Sequence, residues 1–310
     1  MDLRPQKTIQ LSAGPIRVRD VGEGPVLLFV HGLLVHGTVW RKVIPSLAKK
    51  YRCIVPDWPL GSHTLAMNDD ADLAPAGIAK LVAELADALD LRDVTLIGND
   101  SGGAVCQIVA ARHPQRLARL VLVTCDALEI FPPKLFAYLK VVAKAPSLMA
   151  LLSGAMLRVP ILTRLPIAYG IVSKRPIPPE VVADWLRPTA RDAGIRRDVA
   201  KFIAGLDPQV TMEIAKELPR FDKPVLLVWA TEERSFPLDL GERLASYFPR
   251  ARLERLDDCL VFVQEDRPES LAHSIASFVS DEIRSWSSTP TTALTSSVQG
   301  GNTSASSPSL

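Results

Sequence analysis

This 310-residue sequence offers almost no net charge, with 36 Lys and Arg set against 34 Asp and Glu for a sum of +2. A balance that small gives no reason to expect nucleic acid or any strongly charged surface as a partner. Aromatic residues are also sparse, at 6% of the chain, so a core built from the 47% of apolar residues must be mainly aliphatic. The four cysteines, Cys53, Cys106, Cys125 and Cys259, are far apart and form no CxxC pair. That spacing argues against a zinc site or a disulfide framework and for reduced, buried thiols in a cytoplasmic protein. His, Cys and carboxylates do not cluster at metal-ligand spacing, and the phosphate-binding G-x-G-x-x-G is missing, so neither a metal nor an organic cofactor is expected. Met1 to Gln10 is polar, with no apolar leader.

Long hydrophobic runs are missing too. The most apolar stretch, Val141 to Val172, is broken by Lys144, Arg158 and Arg164 and by Pro146, Pro160 and Pro166. Its longest charge-free part, Ala145 to Leu157, is well short of the ~20 residues that cross a bilayer. The expectation is a buried or cleft-facing helical region and no membrane span. Short apolar runs are present instead: Val26–Val30, Cys53–Val55, Val94–Ile97, Leu120–Val123 and Val225–Trp229 read as buried parallel strands. Helical spacing of Ile78, Leu81, Val82, Leu85 and Leu89 fills Pro75 to Asp90. Strands alternating with helices predict an α/β protein with a doubly wound, mostly parallel sheet. No strand-like run falls between about Asp126 and Phe221, which reads as a helical insertion. The domain expectation is a core of residues 1–127 and 221–286 and a helical cap of 128–220. From Ser287 to Leu310 the chain is mostly Ser, Thr, Gly, Asn and Pro and is expected to be a disordered tail.

The segment richest in chemistry is Gly98-Asn99-Asp100-Ser101-Gly102-Gly103, which follows the apolar run Val94–Ile97 and precedes a helix. A strand, a glycine-bounded turn and a helix make the geometry of a nucleophile elbow. In the frame Gly98-x-nucleophile-x-Gly102 the apex is Asp100, whose carboxylate can attack an sp³ carbon and form an ester with the enzyme. An Asp capping a glycine turn is the simpler reading of the same residues. A frame shifted by one puts Ser101 at the apex, but with Asn99 where the tight turn prefers glycine. Upstream, His31-Gly32 ends a buried run and is placed to turn a loop that donates an oxyanion N–H, the donors being the backbone N–H groups of Leu33 and Ser101.

With these motifs in view, the sequence resembles the α/β-hydrolase fold, in the branch of haloalkane dehalogenases and epoxide hydrolases. The carriers are His31-Gly32 with Trp40-Arg41, Pro56-Asp57, Gly98 to Gly103, Arg112-His113-Pro114 with Arg116-Leu117, Val228-Trp229 with Phe236-Pro237, and Phe262 to Pro268. The resemblance covers about Val26 to Val279 and implies that the helical insertion caps an active site. It implies a triad of nucleophile, acid and His. Glu233, four residues past Trp229, matches the acid position, and Asp126 matches an alternative one. The histidine position, immediately before Phe262, is occupied by Val261, which cannot move a proton. Of the five histidines, His31, His36 and His63 lie on loops that can face a cleft, with Val261 as a further cleft residue, whereas His113 and His273 read as structural. The halide-holding positions of the dehalogenases are here Ser101 and Leu33, and the epoxide-activating tyrosines are left to Tyr138 or Tyr169. The expected function is hydrolysis of a small, largely apolar substrate of halide, epoxide or ester type through Asp100. The alternatives are a non-hydrolytic or impaired member of the fold and a Ser101 esterase.

Overall fold

The computed structural model describes residues 7–287. Eight strands form one sheet in the order β1-β2-β4-β3-β5-β6-β7-β8. They are β1 (Lys7–Leu11), β2 (Gly14–Val21), β3 (Val26–Val30), β4 (Arg52–Pro56), β5 (Val94–Asp100), β6 (Leu117–Cys125), β7 (Val225–Ala230) and β8 (Ala251–Leu256). The hairpin β1–β2 pairs antiparallel and β2 runs antiparallel to β4; every other neighbour pair is parallel. The five expected strands are the five central ones, each buried because helices cover both faces of a parallel sheet.

The helices are α1 (Ile44–Leu47), α2 (Pro75–Ala88), α3 (Ser101–Arg112), α4 (Leu139–Ala143), α5 (Pro146–Arg158), α6 (Pro179–Arg191), α7 (Ala193–Ala204), α8 (Pro208–Glu217), α9 (Leu238–Ala245), α10 (Val263–Asp266) and α11 (Pro268–Ser287). Proline occupies the first turn of α2, α5, α6 and α8, where its missing N–H costs no helical bond. Helices α4 to α8 and their 3₁₀ turns fill the interval between β6 and β7. All four cysteines are free and buried. The expected tail lies outside the described residues, apart from Ser287 at the end of α11.

β4 lies on one side of β3 and β5 on the other, so the chain reverses its direction of winding between β3 and β5. Ligands of doubly wound sheets bind at such a point, beyond the carboxyl ends of the strands. Here the end of β5 supplies Asp100, and the loops leaving β3, β6 and β7 supply Leu33, Asp126 and Glu233, to that one edge.

One expectation is corrected. The stretch Val141 to Val172 is only partly buried: Met149 and Val172 are in the core, whereas Val141, Leu151, Val159 and Ile161 face outward. An apolar sequence states that a residue is hydrophobic, not which neighbour covers it.

Candidate active site

Asp100 closes β5 with φ 54° and ψ −136°, a conformation that a residue with a Cβ enters only when its surroundings force it. The force is close packing of α3 on β3. A Cβ on Gly102 would stand 2.5 Å from the carbonyl oxygens of both Val30 and His31. Gly102→Ala therefore pushes helix and strand apart against backbone that cannot yield, and we expect a loss of roughly 1–3 kcal/mol or more, read as a melting temperature lowered by several degrees. Gly32 is equally constrained, since a Cβ there would run into Asp100 Oδ2.

The backbone N–H of Leu33 donates to Asp100 Oδ2 at 3.2 Å, and the N–H of Ser101 also hydrogen-bonds the carboxylate. Burial raises the Asp100 pKa to about 6; the two N–H groups oppose that rise and the nearby Glu233 charge adds to it. Asp126 follows β6 and is also buried. Its Oδ2 accepts the Ser101 hydroxyl at 3.0 Å, and its Oδ1 is buried with no partner among the described residues. Burial, then repulsion from Asp100, pushes the Asp126 pKa well above the carboxylate range, and the Ser101 hydroxyl offsets only part of this. The two carboxyls titrate as a pair, with Asp126 holding its proton while Asp100 ionises.

Both carboxyls open onto one cavity of about 130 Å³. This is the scale of cavities that admit a benzene-sized molecule, on the order of 150 Å³. Leu34, Met149, Met156, Val172 and Phe262 are among its apolar walls, so residues of the helical segment and of the sheet's edge share it. The Val261 side chain also lines it, at the position where the resemblance implies a histidine. Tyr138 and Tyr169 line it as rings whose hydroxyls are already committed: Tyr138 donates to the Ile167 carbonyl and Tyr169 to that of Leu34 at 2.7 Å.

Glu233 does not line the cavity. Its Oε1 accepts the Ser235 N–H at 2.6 Å and its Oε2 the Val261 N–H at 2.9 Å, so it holds the backbone of the loop that carries Val261. The other anchor of that loop was not foreseen from the sequence. Asn99 Nδ2 donates to the carbonyls of Val123, Thr124 and Val261, and Asn99 Oδ1 accepts from Gln264 Nε2 at 2.7 Å. An amide inside an otherwise apolar strand end was the available signal.

His31, His36 and His63 are corrected as cleft residues, because none lines this cavity. His31 is fully buried; its Nδ1 donates to the Gly32 carbonyl and its Nε2 accepts the Trp58 N–H at 2.8 Å. Burial lowers its pKa to about 3, so it shapes the loop as a neutral ring. His36 Nε2 meets Asp184 of α6 at 3.0 Å, and His63 Nε2 meets Asp198 of α7 at 3.2 Å. Both rings tie the helical segment to the loops beneath it.

The model of a family described as the alpha/beta hydrolase fold matches residues 25–148. Among curated relatives, a hydrolase of Bacillus subtilis, YugF, is 25% identical over 255 residues, 82% of this chain and 89% of its own. Haloalkane dehalogenase 2 of Mycobacterium bovis is 28% identical over 270 residues, 85% of this chain and 91% of its own. Among solved structures, haloalkane dehalogenase DbeA of Bradyrhizobium elkani superposes with a TM-score of 0.72 at 19% identity, over 92% of this chain and 99% of its own. The fold is thus that of the α/β hydrolases.

Proposed function

We propose that this chain is a hydrolase of small apolar electrophiles, alkyl halides or epoxides, with Asp100 as nucleophile and the α4–α8 segment as the cap over its cavity. The observation that carries the reading is the strained Asp100, held by two backbone N–H groups where an apolar cavity meets the strand ends. A lone pair of the Asp100 carboxylate forms a bond to an sp³ carbon, the carbon–halogen bond breaks, and halide leaves with its electron pair. With an epoxide the ring C–O bond breaks instead, and the oxygen takes the proton of the Asp126 carboxyl. The Leu33 and Ser101 N–H groups then face the ester carbonyl, where they stabilise the oxyanion formed on water attack.

A base for that water is the weak point. Val261 offers none, and the cavity-lining residues include no histidine. Esterification removes the Asp100 charge, which lowers the Asp126 pKa and leaves Asp126 as the proton acceptor within the cavity. Burial, the larger cause of the raised Asp126 pKa, persists in the ester, so the carboxyl still favours its protonated form and the second half-reaction is slow. The test is intact-protein and peptide mass spectrometry after exposure to halides, epoxides and esters. An adduct on Asp100 supports the reading; an adduct on Ser101 moves the nucleophile by one residue, and multiple turnover of esters alone points to a Ser101 esterase.

The first step requires the ionised carboxylate. With a folded pKa of about 6, the alkylation rate should climb with pH to a half-maximum near 6 and level off above about 7.5. A single-turnover pH profile flat down to pH 5 would show an Asp100 more solvated than this.

A further inference from the structure

The outer face of the α4–α5 region is apolar without a covering element. Eleven large hydrophobic side chains are exposed among the described residues, and nine of them lie between residues 135 and 167. Val141, Leu151 and Ile161 are each more than 60% exposed, at 68%, 63% and 61%. Helix α5 is apolar on both sides: Met149 and Met156 point into the cavity, Leu148 and Leu151 point outward, and Leu152 sits at the border between the two. A helix that is apolar all round belongs either inside a core or against lipid, and one side of this helix has no core. Isolated exposed hydrophobes need no explanation, but a cluster like this marks an interaction surface.

The charge around it is of one sign. Residues 130–179 contain seven Lys and Arg and no Asp or Glu. Lys174 and Arg175 pair with Glu232 and Asp258. Lys134, Lys140, Lys144, Arg158 and Arg164 have no acidic partner among the described residues, and all but Lys140, which is half-buried, are exposed. Long cationic side chains flanking an apolar face suit the boundary between acyl chains and anionic headgroups. No single described helix is long and apolar enough to cross a membrane, and Lys134–Ala143 with Pro146–Arg158, which pass together on composition, are bent by 120° at their junction.

We propose that this face, from Lys134 to Ile167, docks on an anionic lipid surface. Leu152 and Ile167 are exposed and also line the cavity, so the docked face borders the cavity entrance. The docking surface stands independently of the chemistry assigned to Asp100.

The experiment is co-sedimentation of the full chain with vesicles of phosphatidylcholine alone and of equal parts phosphatidylcholine and phosphatidylglycerol. Because all four native cysteines are buried, Ser147→Cys at the exposed start of α5 can carry a polarity-sensitive dye to report insertion. Partition into the anionic vesicles should be at least tenfold stronger than into the neutral ones and should fall in high salt. At roughly 1 kcal/mol per cation near such a surface, Lys140→Glu with Lys144→Glu should weaken it more than tenfold. Leu151→Ser with Ile161→Ser should weaken it to a similar degree and abolish the dye's blue shift. These are surface side chains, so melting temperatures within two or three degrees of the parent would confirm that the variants fold. Absent sedimentation, or equal partition into neutral and anionic vesicles, overturns the proposal. So does a dimer in light scattering that Leu151→Ser dissociates, which would make a second copy the occupant.

Discussion

A short 1-haloalkane that fits the cavity should leave an ester on Asp100 that survives desalting, at about one equivalent per chain, and Val261→His should shorten its lifetime by roughly 10²–10⁴-fold. The magnitude is that of a positioned general base. Two structural facts make the substitution conservative. The Val261 side chain already faces the cavity, and its main chain is held by Glu233 Oε2 and Asn99 Nδ2, not by contacts of the isopropyl group. Each Glu233 oxygen accepts one N–H and keeps a second lone pair, so a new imidazole has an acceptor to fix its tautomer. Chloride or bromide release followed in burst format, with mass spectrometry of quenched samples, separates the two steps. Rapid multiple turnover by the parent chain with no adduct would place an effective base elsewhere. An adduct whose lifetime is unchanged in Val261→His would show that Glu233 does not orient the ring.

The second large effect is on stability. Asp100→Asn should eliminate alkylation and raise the melting temperature by several degrees at pH 7. Asp100 is buried and its folded pKa, about 6, stands above the ordinary 3.8, first because of burial. The folded state therefore binds more protons than the unfolded state between those values, and stability falls as pH rises through that window. By pH 7 the folded protein carries the cost of a buried charge facing Asp126 and Glu233. An amide removes that charge while its oxygen can still accept from the Leu33 and Ser101 N–H groups. The gain should be of order 1–3 kcal/mol at pH 7 and should shrink towards zero at pH 4. Thermal melts of parent and variant at the two pH values decide the matter, and a gain equal at both would assign it to packing instead of charge.

How much of this was legible depended on whether the signal was local. The five central strands were readable because burial on both faces makes a continuous aliphatic run. β8, Ala251–Leu256, mixes Arg and Glu with two Leu at the sheet's edge, and β1–β2 is a half-polar hairpin, so neither resembles such a run. Asp100, Leu33 and Ser101, which line one cavity, were legible because each sits at a fixed offset from the end of a strand the sequence shows, whereas Val261 was reached only through the resemblance, since the strand before it is β8. His36 and His63 were misread because their partners, Asp184 and Asp198, lie 148 and 135 residues away, and no spacing rule reaches that far. The outward face of α5 was hidden for a related reason: apolar residues on every side of a helix do not say which side finds a neighbour.

The Asn99 amide has a consequence for how such a site can change over time. It binds β6, the 261 loop and Gln264 through backbone carbonyls and one amide, and none of those bonds depends on which side chain residue 261 carries. Glu233 likewise grips that loop by its N–H. Position 261 is therefore a socket whose frame is fixed separately from its insert. On the proposed chemistry, a lineage can lose or regain the proton-transfer group there by point substitution, keeping the scaffold and the cavity, which would make turnover and capture separable traits on the same framework.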